Sequence, residues 1–311
     1  MNISLIIPTF HRNEDLQRCL NSLSKQNKFP HHIIIIDNAG DATTKNICKS
    51  YPSLPIVYHH FQINSGAQAR NRGIEHIASD TDIVVFIDDD TTFWPEFLSA
   101  IESFFIDHPQ AMWGVAHITS PVRTIWLLKK IGFMLLTGST SRDKQFVTQW
   151  WFNTLPFVQS KELQTVEWTS GCGMFFRKSV FDEWFRFPDK FLKYSLMEDC
   201  FLSYDIYRRY PWSLYYVPSV TLIHHESPSG RIANRAKIMQ NIIHRYLFVR
   251  QFELSIVGYL RTTLLLGILD LFSYQSWQVV QWYLQGLWYV RNHRKDIHTY
   301  DFDYNTFIFE Q

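Results

Sequence analysis

The sequence predicts an α/β protein built on a mostly parallel, twisted sheet flanked by helices, with a helical extension at the C-terminus. Three observations predict it. Short runs of β-branched and aromatic residues alternate with helical patterns over the first 118 residues, the order that gives parallel strands joined by crossover helices. One run, Ile33–Ile36, is four consecutive isoleucines, apolar on both faces and therefore a strand buried on both faces. Acidic residues directly follow two of the runs, at Asp37 and at Asp88-Asp89-Asp90, and open α/β sheets bind ligands at the carboxyl ends of their strands.

Each element follows in order. Ile3–Ile7 predicts the first strand. Glu14–Ser24 places Leu16, Cys19, Leu20 and Leu23 at helical spacing. Ile33–Ile36 is the second strand, Asn38-Ala39-Gly40-Asp41 a turn, and a short helix begins near Thr43. Ile56–His59 predicts a third strand, Ala67–Ala78 a helix, Ile83–Ile87 a fourth strand, Trp94–Phe105 a helix and Ala111–His117 a fifth strand. The pattern changes at residue 120. Thr124–Leu136 is apolar among Arg123, Lys129 and Lys130, and Trp150-Trp151-Phe152 follows a polar stretch. Residues 168–225 return to mixed α/β character, and from Arg231 the chain reads as helical. The expected division is a domain over 1–230, with halves 1–118 and 119–230, and a helical region over 231–311.

Bulk properties exclude some classes. The formal charge is +1, from 30 basic and 29 acidic residues, which argues against a dedicated nucleic-acid binder. Cys19, Cys48, Cys172 and Cys200 lie far apart with no CxxC spacing, so neither a zinc site nor a disulfide framework is expected, and reduced thiols in the cytoplasm are the simplest reading. Met1–Pro8 lacks a basic segment followed by a long apolar one and reads as a strand, not a signal peptide.

Three carboxylates at the end of a buried strand are costly unless something cationic neutralises them. A divalent cation on Asp88-Asp89-Asp90, bridging to phosphate oxygens, is one answer. A solvated acidic turn capping the next helix is the other. Asp37 can accept a hydrogen bond from a base imide N–H or simply tie an Asx turn. In Asn64–Gly73, Gly66 permits close backbone approach at a helix N-terminus that favours anions, and Arg70 or Arg72 adds a cation. Glu198-Asp199 opens a helix, where acids complement the dipole or, within reach of a hydroxyl, serve as a general base. His224-His225 ends a strand-like run, Val217–Ile223, and is a candidate for metal or phosphate contact.

In that order, over residues 3–230, these pieces resemble glycosyltransferase family 2, with the GT-A fold. Ser4–Phe10 looks like the opening strand, with Pro8 and Thr9 on the donor side. Asp37-Asn38 resembles the base-reading turn, and Gly66 through Ala69-Arg70-Asn71-Arg72-Gly73 the donor loop. Phe86–Asp90 resembles the DxD metal motif, and Ser170-Gly171-Cys172-Gly173-Met174-Phe175-Phe176-Arg177 the acceptor-side loop and strand. Glu198-Asp199 looks like the catalytic acidic pair, and His224–Arg231 the histidine loop. Two departures stand out. Phe201 occupies a place where members often carry Asp, and Asp205 a place where Arg is common; both bear on the acceptor.

The resemblance implies an inverting transfer of a hexosyl or deoxyhexosyl unit from a nucleoside diphosphate sugar to a hydroxyl of a glycan or lipid-linked glycan, in cell-surface polysaccharide synthesis. Asp199 is then the general base beside Glu198. Pro8, Thr9, Asp37, Gly66, Arg70, Asn71, Asp88 and Asp89 bind the donor, and Gly171, Cys172 and Gly173 face the acceptor. Mn2+ or Mg2+ sits on Asp90, Asp88 and His224, with His225 as the alternative to His224. Two rivals remain: a nucleotidyltransferase, although Thr9–Asn13 lacks a glycine-rich triphosphate loop, and a non-catalytic carbohydrate-binding or scaffold protein on the same fold.

Past Arg231 the sequence leaves three readings. Leu254–Phe272 is apolar but contains Arg261 and Asp270, which interrupt a clean ~20-residue span. From Arg231 to Arg261 six basic residues face one acid, Glu253, and Trp277, Trp282 and Trp288 recur near Arg291, Arg294 and Lys295. Such helices lie on membrane interfaces, here the inner face of the cell membrane, or pack as an ordinary bundle or an oligomer contact.

Overall fold

The computed structural model describes residues 1–119, 161–228, 232–297, 299 and 302–309. The expectations for Thr124–Leu136, Trp150–Phe152 and the Ser229–Arg231 end of the histidine loop lie outside the described residues. The chain divides into two compact units, one formed by Met1–Pro121 with Gln159–Arg231 and a second that contains Ile232–Gln311.

Among the described residues, the first unit is built on a nine-stranded sheet. Its first half is β1 (Ile3–Thr9), β2 (His32–Asp37), β3 (Ile56–His60) and β4 (Ile83–Phe86). They lie in the order β3-β2-β1-β4, all parallel. The four isoleucines of β2 are fully buried, because the crossover helices cover both faces of a parallel sheet. Those helices are α1 (Asn13–Leu23), α2 (Ala42–Lys49), α3 (Gly66–Glu75) and α4 (Phe97–Asp107). Helix α1 buries Leu16, Cys19, Leu20 and Leu23, the four residues whose spacing predicted it. The order reverses between β1 and β4, and a crevice opens there at the carboxyl ends.

The second half of the sheet is mixed. Strand β8 (Met174–Arg177) pairs antiparallel with both β4 and β6 (Trp113–Thr119), and β9 (Leu214–His224) runs parallel to β6. A two-residue strand, β7 (Gln164–Thr165), and β5 (Thr91–Phe93) pair antiparallel with β9. Strand β5 was not foreseen. It takes the chain past Trp94, so α4 starts at Phe97 and not at Trp94; the residue before a proline, here Pro95, is pushed away from helical backbone. Between Val217 and Thr221 the register of β9 against β6 shifts. The irregularity accommodates Pro218, which has no N–H for a ladder. Beyond it, Thr91 pairs with His224, which ties the acidic triplet to the histidine pair. Helix α5 (Glu198–Arg209) follows a left-handed residue, Met197 at φ 74°.

The second unit contains α6 (Asn234–Gln251), α7 (Ile256–Tyr274), α8 (Gln278–Asn292) and the short α9 (Asn305–Phe309). A Cβ at Gly286 would come within 2.6 Å of Ile242 Cδ1, so glycine is what lets α8 approach α6 so closely. Tyr289 of α8 stacks on Phe307 of α9. Helix α7 has a mean hydropathy of 1.5 and is long and apolar enough to cross a membrane by length and composition alone, despite Arg261 and Asp270.

Candidate active site

A cavity of about 320 Å³ opens at the strand ends of the first unit. Pro8 and Thr9 from β1, Asn38 from the turn after β2, and Gly66 and Arg70 from α3 form one side. Asp88, Asp89 and His224 border it, as do Gly171, Cys172 and the acidic pair Glu198-Asp199.

Two cations organise the acids. Arg70 is 6% exposed. It donates from Nη1 to Glu198 Oε1 and from Nη2 to Asp88 Oδ1 at 2.6 Å. Burial opposes its charge, but Glu198, Asp88 and Asp199 outweigh burial and raise its pKa. Arg12, half-buried, donates to Asp89 Oδ1 at 3.0 Å and lies 3.5 Å from Asp90 Oδ2. Thr9 Oγ1 donates to Asp89 Oδ2 at 2.7 Å. Burial pushes the Asp89 carboxyl up to about 7 even so. Asp90 goes the other way. Burial would raise it, but His224, the Ser227 N–H at 2.8 Å and Arg12 together hold it at about 2.

His224 Nε2 stands 3.1 Å from Asp90 Oδ1 and 4.0 Å from Asp88 Oδ2. Asp88 and His224 border the cavity, whereas Asp90, 3% exposed, lies behind them and meets it through His224. His225 does not join them: its ring meets Thr92 Oγ1 at 2.9 Å, while its backbone N–H donates to the Asp90 carbonyl at 2.9 Å. Of the pair, His224 lines the cavity and His225 does not.

The two acids at the start of α5 have different surroundings. Glu198 is buried on Arg70, and burial, partly offset by Arg70, pushes its carboxyl up to about 8. Asp199 is half-buried and held by main-chain donors, Gly171 N–H to Oδ2 at 2.7 Å and Cys200 N–H to Oδ1 at 2.8 Å. Burial raises its pKa against those two hydrogen bonds.

Three expected site residues stand elsewhere. Asp37 is fully buried, and its carboxylate accepts from the N–H groups of Ala39, Gly40 and Asp41 and from the Tyr58 hydroxyl at 2.7 Å. Those four donors fill the four acceptor sites of a carboxylate, so Asp37 ties the turn and Asn38 reaches the cavity instead. Asn71 is buried and clamps Phe187 through its main-chain N–H and carbonyl, with a third bond to Asp189. Gly173 is left-handed at φ 75° and donates to the Phe86 carbonyl at 3.1 Å, inside the sheet. Arg72, the alternative to Arg70, is exposed and pairs with Glu75. Of the two departures, Phe201 is buried against Phe191 and Asp205 is exposed.

Two groups escaped the sequence reading. Arg12 follows β1 with nothing around it that marks a cation site. The segment Lys193–Met197 lines the cavity with three non-glycine residues at positive φ, Lys193, Ser195 and Met197. It is stitched to the α3 start by Lys193 N–H to Asn64 O at 2.6 Å and Gly66 N–H to Lys193 O at 3.2 Å. Backbone of this kind costs on the order of 1–3 kcal/mol per residue and concentrates at functional sites. A run of Lys-Tyr-Ser-Leu-Met gives no sign of it.

The sheet order and its helices are those of a GT-A glycosyltransferase. The fold is similar to Staphylococcus aureus TarS 1–349 in complex with UDP-GlcNAc, with a TM-score of 0.56, 15% identity, and coverage of 85% of this chain and 70% of that one. It is also similar to the mannosyltransferase PcManGT of Pyrobaculum calidifontis in complex with GDP-Man and Mn2+, at TM-score 0.54 and 14% identity over 94% of this chain and 75% of that one. Residues 4–185 match Glycosyl transferase family 2, and the chain belongs to that family. A Bacillus subtilis glycosyltransferase, YwdF, is 36% identical over 96 residues, 30% of this chain and 35% of its own. The Haloferax volcanii glycosyltransferase AglE is 35% identical over 94 residues, 28% and 30% respectively. The match thus spans about a third of the length of either relative.

Proposed function

We propose that this glycosyltransferase moves a sugar from a nucleoside diphosphate donor to a hydroxyl of a glycan or lipid-linked glycan acceptor, with inversion, in the synthesis of a cell-surface polysaccharide. The observation that carries the reading is Asp199, which borders the same cavity as Asp88, Arg70 and His224 with Oδ2 fixed by the Gly171 N–H. A carboxylate held there by main-chain donors takes the proton of an incoming hydroxyl, and one in-line displacement inverts the anomeric centre with no covalent intermediate. Glu198 has the supporting part of orienting Arg70. Arg70, beside Asp88, lies where it can offset charge developing on a leaving diphosphate. Pro8, Thr9, Asn38 and Gly66 form the donor side; Gly171 and Cys172 form the acceptor side.

The donor set of Asp88, Asp90 and His224 fits a hard divalent cation such as Mn2+ or Mg2+. Cys172 also lies near Asp88 and His224, but a hard cation takes carboxylate oxygen and imidazole nitrogen in preference to a soft thiol. When bound, the cation would supply Lewis-acid neutralisation of the diphosphate. The UDP-GlcNAc complex of TarS and the GDP-Man and Mn2+ complex of PcManGT support this reading by analogy of fold. The free, buried state of all four cysteines agrees with a cytoplasmic setting.

A thermal-shift screen of UDP, GDP and dTDP sugars with Mn2+ tests the proposal, followed by NMR of the product linkage. Stabilisation by one donor family and an inverted product are expected. A product that retains configuration would sink the mechanism, and no response to any sugar nucleotide would sink the function.

A further inference from the structure

Helix α7 has two unlike faces. Tyr259, Thr262 and Thr263 are buried, and the Tyr259 hydroxyl donates to the Ile242 carbonyl at 3.2 Å. On the other side Val257, Leu260, Leu264, Ile268 and Phe272 follow one another at spacings of three and four, and are 43–75% exposed. That spacing makes one continuous stripe along a helix. Helix α8 and the residue before it carry three more exposed apolar residues, Trp277, Leu284 and Trp288, at 78%, 62% and 62% exposure. Contiguous apolar surface of this extent marks a place where something docks.

The charges around the stripe say what docks. Arg250, Arg261, Arg291, Arg294 and Lys295 are all exposed. Arg261 adjoins Leu260 and precedes Leu264 by three residues, and Arg291 follows Trp288 by three, so both flank the apolar residues. Arg291, Arg294 and Lys295 border one hollow at the end of α8 together with Asn292 and Asp296, so cations outnumber the acid there three to one. In a two-fold dimer built on this face, each copy would present the same basic patch to its partner, and like charges oppose that contact. A spanning α7 would have to lose the buried contacts of Tyr259 and the bond from Tyr283 OH to Asp270 Oδ2 at 2.9 Å. An anionic lipid surface meets both features at once: rings enter the headgroup boundary and cations face the phosphates.

We infer that the exposed face of α7 and α8 seats the enzyme on an anionic membrane surface. This inference rests on no step of the transfer reaction. The full chain is incubated with sedimentable vesicles of phosphatidylcholine alone or with phosphatidylglycerol, at low and high salt. Binding only to the phosphatidylglycerol vesicles, weakened about tenfold by high salt, is expected. Leu264→Asp with Ile268→Asp should also lower the bound fraction about tenfold, with the melting temperature and Mn2+-dependent sugar-nucleotide binding unchanged. Three results would overturn the inference: a monomer that ignores both vesicles, a dimer in solution that ignores them and becomes monomeric in the double variant, or cellular membrane retention that survives a carbonate wash. Donor binding is read separately, so loss of vesicle binding and loss of the proposed transferase function are distinguishable.

Discussion

Arg70 Nη2 donates to Asp88 Oδ1 at 2.6 Å. The same guanidinium reaches Glu198 with its other terminal nitrogen. One side chain on α3 therefore joins the acidic triplet after β4 to the acidic pair at the start of α5. The planar fork makes this geometry possible, and a lysine cannot reproduce it. Arg70→Lys is expected to keep the fold, by circular dichroism, and to lower kcat/KM at least ~tenfold through loss of oriented charge.

Asp199 and Glu198 should separate by kinetics. Asp199→Asn removes the proton acceptor but not the cavity, and should lower kcat by ~10²–10⁴-fold while the Kd for donor, by calorimetry, stays within about threefold. Glu198→Gln keeps a hydrogen-bonding partner for Arg70 and should cost far less. A dead Glu198→Gln beside an active Asp199→Asn would reverse the assignment.

The raised carboxyl of Glu198 makes a prediction about pH and stability. The folded protein holds that proton up to about 8, whereas the unfolded chain releases it near 4.5. Between those values the folded state binds more protons, so stability falls as pH rises. Without metal or donor, the melting temperature should drop from pH ~5 to pH ~8, and Glu198→Gln should flatten that slope. An unchanged slope in the variant would remove Glu198 as its source.

The histidine pair offers a one-residue discrimination. His224→Ala should weaken Mn2+-dependent stabilisation by sugar nucleotide ~10–100-fold in metal affinity. His225→Ala removes a ring that meets Thr92 Oγ1 and should leave it near wild type. Asp90→Ala should abolish the metal effect while the cation-free protein stays folded.

Gly173 tests the sheet that carries the site. Its backbone is left-handed, and a Cβ there would come 2.5 Å from Leu222 Cδ2. Gly173→Ala should destabilise by more than about 1 kcal/mol in urea denaturation.

The first half of the fold was legible because each strand is a short apolar run and each helix a periodic one. The site was legible where a residue's place follows from its strand end. Asp88 and His224, which line the cavity, are of that kind, as is Asp199 at the first turn of a helix. Tertiary partners decided the rest. Asp37 has the right position, but its own turn and Tyr58 occupy its carboxylate. Asn71 has the right helix but faces the Phe187 segment. Arg12 belongs to the site only because two acids distant in sequence lie beside it. No periodicity marks the left-handed residues of Lys193–Met197, since their conformation comes from pairing with the start of α3.

The hydrogen bond from the Gly171 N–H to Asp199 has a bearing on how this enzyme can diversify. The donor is main chain, so exchange of neighbouring side chains cannot delete it; only a proline at 171 or a shift of the loop could. A Cβ at Gly171 would meet its nearest atoms, on Asp199, at 3.6 Å, which is ordinary contact. Ser170 and Cys172 border the same cavity. The wall beside the proposed base can therefore be resculpted, by natural drift or by directed libraries at 170 and 172, while the carboxylate keeps its aim.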